Sequence, residues 1–179
     1  MKLFLFFFLL LSLNAIAQVR LPTNEAGQVQ YQETIKLPDN TRKARQIIEQ
    51  ARSWANLQYD STTAEQQYDA EHTILFIRSF FPINKQSIRY TLTIEAKYGR
   101  YRATLTDLVA ENDALTLPVQ ASSGTVAEME RAAGSKPINK KILEQTARQQ
   151  AELYRQIDKA CRDTLASLKQ ALTTSQTSE

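Results

Sequence analysis

The stretch Ser87-Ile88-Arg89-Tyr90-Thr91-Leu92-Thr93-Ile94-Glu95-Ala96-Lys97-Tyr98-Gly99-Arg100-Tyr101-Arg102-Ala103-Thr104-Leu105-Thr106-Asp107-Leu108-Val109 decides the fold. In its first half Ile88, Tyr90, Leu92, Ile94, Ala96 and Tyr98 fall on one side, and Ser87, Arg89, Thr91, Thr93, Glu95 and Lys97 on the other. A strict period of two is that of a half-buried strand, and a slip of one residue would expose the whole apolar set. Gly99 supplies the left-handed backbone angle of a tight turn. Tyr101, Ala103, Leu105, Asp107 and Val109 then continue as the inward set of a returning strand. The segment predicts an antiparallel hairpin with one wet face, a sheet that something else must cover on its dry side.

Working outward toward the N-terminus, Ile74, Leu75, Phe76, Ile77, Phe80 and Phe81 form a nearly continuous apolar run, stopped by Pro82-Ile83-Asn84. That run predicts a central strand over 73–81. The polar stretch before it leaves room for a short strand over 66–69. Further back, Val29, Tyr31, Glu33 and Ile35 alternate with glutamines, threonine and lysine, predicting another half-buried strand. Pro38-Asp39-Asn40-Thr41 ends it and is expected to supply the acceptors of a helix start. Ile47, Ile48, Ala51, Trp54 and Ala55 then recur at helical spacing, with Arg42, Arg45, Glu49 and Arg52 on the other face, so the helix should reach about Asn56.

Toward the C-terminus, residues 111–136 are interrupted by Leu117-Pro118, Ser122-Ser123-Gly124 and Gly134-Ser135. They read as a partly mobile connection holding one short helix over 125–133, where Thr125 and Glu128 have capping-box spacing. Residues 137–172 contain no glycine or further proline after Pro137. Tyr154, Ile157, Cys161, Leu165, Leu168 and Leu172 form a stripe, preceded by Ile142, Leu143 and Ala147. A helix of about thirty residues is predicted, followed by a polar tail over 173–179. Only about three clean heptads are present, which favours packing across the sheet over a coiled coil. A helix that outruns the sheet would still leave an end for pairing with a second copy, so a homo-oligomer is a further expectation.

Residues 1–17 read as a cleavable export signal: Lys2, an apolar run from Leu3, and Ala15-Ile16-Ala17 before Gln18. The apolar run is too short for the ~20 residues that span a bilayer. No cysteine stands beside the cleavage site to carry a lipid. The expectation is an exported protein, periplasmic or secreted and not a lipoprotein, with no integral membrane segment after cleavage. The remaining length suits one domain, residues 18–110 completed by the 137–172 helix.

The composition narrows chemistry mainly by subtraction. A formal net charge of +3 is spread among interspersed acids and gives no concentrated basic track, so no nucleic-acid partner is expected. One cysteine, Cys161, forbids an internal disulfide. It lies on the apolar stripe, where a buried small hydrophobe is the plain reading and an intermolecular disulfide the other. One histidine, His72, has no nucleophile motif attached, and the four glycines are isolated from one another, so no phosphate loop is present. Asp69 and Glu71 read as a solvated pair of acids. No catalytic residue, metal site or cofactor is expected. Arg100 and Arg102, with Arg89, form an exposed cationic edge that reads either as protection of a strand edge or as a binding patch.

Leu21-Pro22 through Gly27-Gln28-Val29-Gln30-Tyr31, the helix ending near Trp54, Ile88 to Ile94, and Gly99-Arg100-Tyr101-Arg102 together resemble a bacterial family of unknown function, DUF4468, with a TBP-like fold. The resemblance covers about 21–109. It implies an α+β fold of order β-α-β-β-β-β-α, a curved antiparallel sheet with helices on one face and the long C-terminal helix packed there. It implies no activity. A non-enzymatic envelope module binding a protein or other envelope component is the expected function. The alternatives are an envelope hydrolase with an unrecognised acid site and a structural protein that self-assembles through the C-terminal helix.

Overall fold

The computed structural model describes residues 18–60, 62–84, 86–112, 115–134 and 139–174. Residues 1–17, where an export signal is expected, and residues 175–179 of the polar tail lie outside them. Among the described residues the elements run β1 (Tyr31–Lys36), α1 (Ala44–Gln58), β2 (Glu65–Asp69), β3 (Ile74–Ile83), β4 (Gln86–Lys97), β5 (Arg100–Glu111), β6 (Thr116–Pro118), α2 (Val126–Ala133) and α3 (Lys140–Thr173). The six strands make one antiparallel sheet in the order β1-β5-β4-β3-β2, with β6 also pairing β5. This is the expected α+β architecture, with one short strand more than the sequence predicts. Because β1 pairs Arg100 to Leu105 and β6 pairs Val109 to Glu111, the two share one side of β5 end to end.

Alternation sorts the sheet into two faces. Leu75 and Ile77 of β3, Ile88, Leu92 and Ile94 of β4, and Leu105 of β5 have no solvent exposure, and against them pack Ile47, Ile48 and Ala51 of α1. The stripe of α3 completes this core: Tyr154, Ile157, Cys161, Leu165, Leu168 and Leu172 are all buried, as are Ala147 and Ala151 before them. Ile142, by contrast, is 58 % exposed, because the first turns of α3 run past the covered area.

Polar contacts lock the two long helices together. The Arg42 guanidinium donates to the Leu172 carbonyl (2.9 Å) and to Gln50 Oε1 (2.7 Å), and Gln50 Nε2 donates to the Ala171 carbonyl (2.6 Å). These donors satisfy carbonyls at the end of α3 that have no partner within the helix, and a cation there suits the helix dipole. Trp54 Nε1 donates to Ser167 Oγ (3.1 Å). Arg42, expected on the outer face of α1, thus precedes that helix and points at another one.

Three expectations need correction. The Asp39 carboxylate does not start α1; it accepts from the amide and hydroxyl of Thr41 in its own turn, while Gln46 Oε1 accepts the Lys43 N–H where the helix begins. Tyr98 is 65 % exposed, since it belongs to the turn rather than to β4. The inward set of β5 fails after Leu105: Thr91 stands opposite Thr106 but Arg89 opposite Val109, so β5 carries an extra residue. Asp107 takes a left-handed φ of 54° there, and Leu108 rather than Asp107 or Val109 is buried. A bulge of this kind shifts the side-chain period by one.

The described part of 111–136 is not a bare linker. It supplies β6 and α2, the latter with its expected capping box: Glu128 N–H donates to Thr125 Oγ1 (3.2 Å) and Thr125 N–H to Glu128 Oε2 (2.8 Å). Residues 121–123 also hold the lead-in segment, through Leu21 N–H to the Ala121 carbonyl (2.8 Å) and Val19 N–H to Ser123 Oγ (3.0 Å).

Candidate binding surface

The uncovered side of the sheet presents the other half of each alternation. Its centre is a block of threonines in register, Thr91 opposite Thr106 and Thr93 opposite Thr104, all half-buried. Phe76 and Ile74 of β3 continue it toward β2. Around this block stand charges, most of them paired: Arg102 with Glu95 (2.6 Å), Arg78 with Glu65 (3.5 Å), and Arg89 with Glu111 (3.0 Å).

One corner differs. Lys36 of β1 stands directly opposite Arg100 of β5, which stands directly opposite Lys97 of β4. All three are exposed, and among the described residues none has a carboxylate at ion-pair distance. One row inward lie Thr34 and Arg102, and Thr34, Glu95, Lys97, Arg100, Tyr101 and Arg102 line a shallow depression of about 170 Å³ beside Lys36.

The local chain path explains why the corner is fixed. Gly99 has φ of +64°, its N–H donates to the Arg42 carbonyl (2.9 Å), and its carbonyl accepts from Leu37 N–H (2.9 Å). A Cβ at Gly99 would stand 2.5 Å from the Asn40 carbonyl oxygen. The hairpin tip is therefore threaded against the β1–α1 loop by backbone bonds and admits no side chain there.

The structure redistributes the residues singled out from sequence. Arg100 and Arg102 come together, joined by Lys36 and Lys97. Arg89 does not: it lies about 26 Å away along β4 at roughly 3.3 Å per residue. Nor do Arg100 and Arg102 guard an edge, because β5 is paired with β1 on one side and β4 on the other over their positions. Lys97 was legible as the partner of Arg100 from the two-residue turn between them. Lys36 was not, since only tertiary pairing brings β1 beside β5.

His72 and Cys161 stand where the sequence reading puts them, at the surface and in the core. His72 is exposed with its Nδ1 2.8 Å from Asp69 Oδ2, and the His72 amide together with its ring holds the Asp69 carboxyl below the usual carboxylate range. Asp69 also accepts from the Glu71 amide, so this cluster is a closed turn. Cys161 is fully buried; burial, and then the neighbouring Asp158 charge, push its thiol up to about 12. A buried neutral thiol is the packing role, not the reactive one. Among the described residues no group of three His, Cys, Asp or Glu side chains is placed to hold a metal ion, and no helix is long and apolar enough to cross a membrane.

Residues 31–111 match the sequence model of a family described as a domain of unknown function (DUF4468) with TBP-like fold. Two solved structures are similar over most of the chain. A TBP-like protein from Parabacteroides distasonis ATCC 8503 superposes with a TM-score of 0.50 at 17% identity, covering 83% of this chain and 96% of that one. A DUF4468 family protein from Bacteroides ovatus ATCC 8483 gives a TM-score of 0.59 at 13% identity, covering 89% and 94%. At such identities the likeness is one of fold. No functionally curated protein matches the chain.

Proposed function

We propose that this chain, whose residues 31–111 match the DUF4468 family model, is an exported, non-enzymatic binding module of the cell envelope that meets its partner through the open face of its sheet. The observation that carries the reading is the asymmetry of the sheet. Its helix-covered side is closed by α1 and α3, while its other side presents a threonine-centred surface with charges arranged around it. A large, polar, ordered surface held by buried strands suits recognition better than catalysis, which requires convergent groups in a concavity. Export is supported by the sequence pattern of residues 1–17.

Expression of the full chain in a bacterial host, followed by fractionation and N-terminal sequencing, tests the address: the protein should be recovered outside the cytoplasm beginning at Gln18. Sedimentation with isolated envelope fragments tests the surface. Thr93→Glu on the open face should reduce co-sedimentation several-fold, and Arg155→Glu on the exposed side of α3 should not. A cytoplasmic protein beginning at Met1, or equal retention of both variants, would overturn the reading.

A further inference from the structure

The unpaired corner of the open face is the feature whose chemistry points furthest. Like charges placed directly opposite one another on neighbouring strands destabilise a sheet. Lys36, Arg100 and Lys97 nevertheless occupy one row across β1, β5 and β4. Edge protection does not account for Arg100, which sits on a strand paired on both sides. The row is carried on a rigid frame, because Gly99 is bonded to Leu37 and Arg42 and pressed against Asn40. A ligand seated there would find its contacts already ordered, which lowers the entropic cost of binding. In the turn of the same hairpin Tyr98 is 65 % exposed.

We infer that this corner binds a small oxyanion, a phosphate or carboxylate group held among Lys36, Lys97 and Arg100. The inference rests on the reading of the open face as the binding surface and names the ligand chemistry of one part of it. An Arg fork takes two oxygens of a carboxylate or phosphate together, and the flanking Lys ammonium groups act as point charges. The site is small. Three strands about 4.8 Å apart give a row roughly 10 Å wide. Beyond it the cations of the face are matched by Glu95, Glu65 and Glu111. No continuous track is left for a polyanion such as nucleic acid, whose affinity accumulates over many phosphate contacts.

Titration of the purified, isotope-labelled protein followed by amide NMR tests this, with glucose 6-phosphate, galacturonate, inorganic phosphate and glucose as probes at roughly physiological salt, where the Debye length is about 8 Å. Both acidic sugars and inorganic phosphate should give saturable shifts confined to Thr34, Lys36 and the 97–102 hairpin, and glucose none. Arg100→Gln should weaken all three at least tenfold and at the same time raise the melting temperature, since it removes a like-charge contact; Arg155→Gln should change neither. Shifts scattered over every surface cation, no shifts at all, or a lower melting temperature for Arg100→Gln would each overturn the proposal. Envelope retention through the open face without a localised response to these probes would defeat this inference alone, and loss of that retention would defeat the proposed function with it.

Discussion

The two faces of the sheet are made by the same strands and held by different forces. On the covered face Leu75, Ile77, Ile88, Leu92 and Ile94 have no exposure, and their contribution is burial, roughly 25 cal/mol per Å² of apolar surface removed from water. On the open face the units are cross-strand pairs such as Thr91 with Thr106 and Thr93 with Thr104, each worth about 0.2–1 kcal/mol. Stability is thus concentrated on one side. The other side is left free to carry residues, such as the cationic row, that stability alone would not select.

The sharpest way to break this contrast is to remove the cover. Truncation after Val109 deletes α3 and its buried stripe, and the fragment should lose its cooperative unfolding transition and cold near-ultraviolet signal altogether; a folded monomer by circular dichroism and light scattering would mean that α3 is an accessory rather than core. A single point in that cover comes next. Ile157 has no exposure, so Ile157→Ala should cost about 2–5 kcal/mol in urea unfolding. Gly99→Ala probes the hairpin that joins the two faces: a left-handed angle alone costs an alanine about 1–2 kcal/mol, and the contact with the Asn40 carbonyl adds to it. A neutral result there would show that the tip is not clamped.

The covered face should also fail first in alkali. Desolvation raises the hydroxyls of Tyr31, Tyr59 and Tyr101 well above 10.0 and the Cys161 thiol to about 12 from 9.0. The folded state therefore holds protons that the unfolded state releases, so the stability they represent is complete below about pH 9 and declines as pH rises through the folded values. Melting temperatures taken from pH 7 to 11 should fall across the upper half of that range, and a flat profile would contradict the burial of these groups. The smallest effect belongs to the open face, where Thr93→Ala should change stability by no more than about 1 kcal/mol.

Much of the covered face was legible in the sequence because burial imposes a period. The stripe from Tyr154 to Leu172 and the alternation from Ile88 to Ala96 are both read directly from residue type, and both are buried as read. The capping box of α2 was legible for a similar reason: two residues three apart satisfy each other locally. Where the reading fails, the cause is local geometry that the residue type does not signal. Asp107 takes a positive φ without being glycine, and β6 forms over three exposed residues ending in Pro118, held by pairing with β5.

The candidate corner shows the same division. Lys97 and Arg100 are neighbours by virtue of the turn between them, a matter of two residues. Lys36 joins them from the far side of α1 and three intervening strands, and Arg42 reaches the Leu172 carbonyl from the opposite end of the chain. The sequence by itself determined most of the strands, helices and core, because hydrophobic periodicity is a local property. Only the tertiary structure decided that β1 closes against β5 and that three cations share one row, because strand partnership is set by the packing of the whole sheet beneath its helices, and no local pattern encodes it.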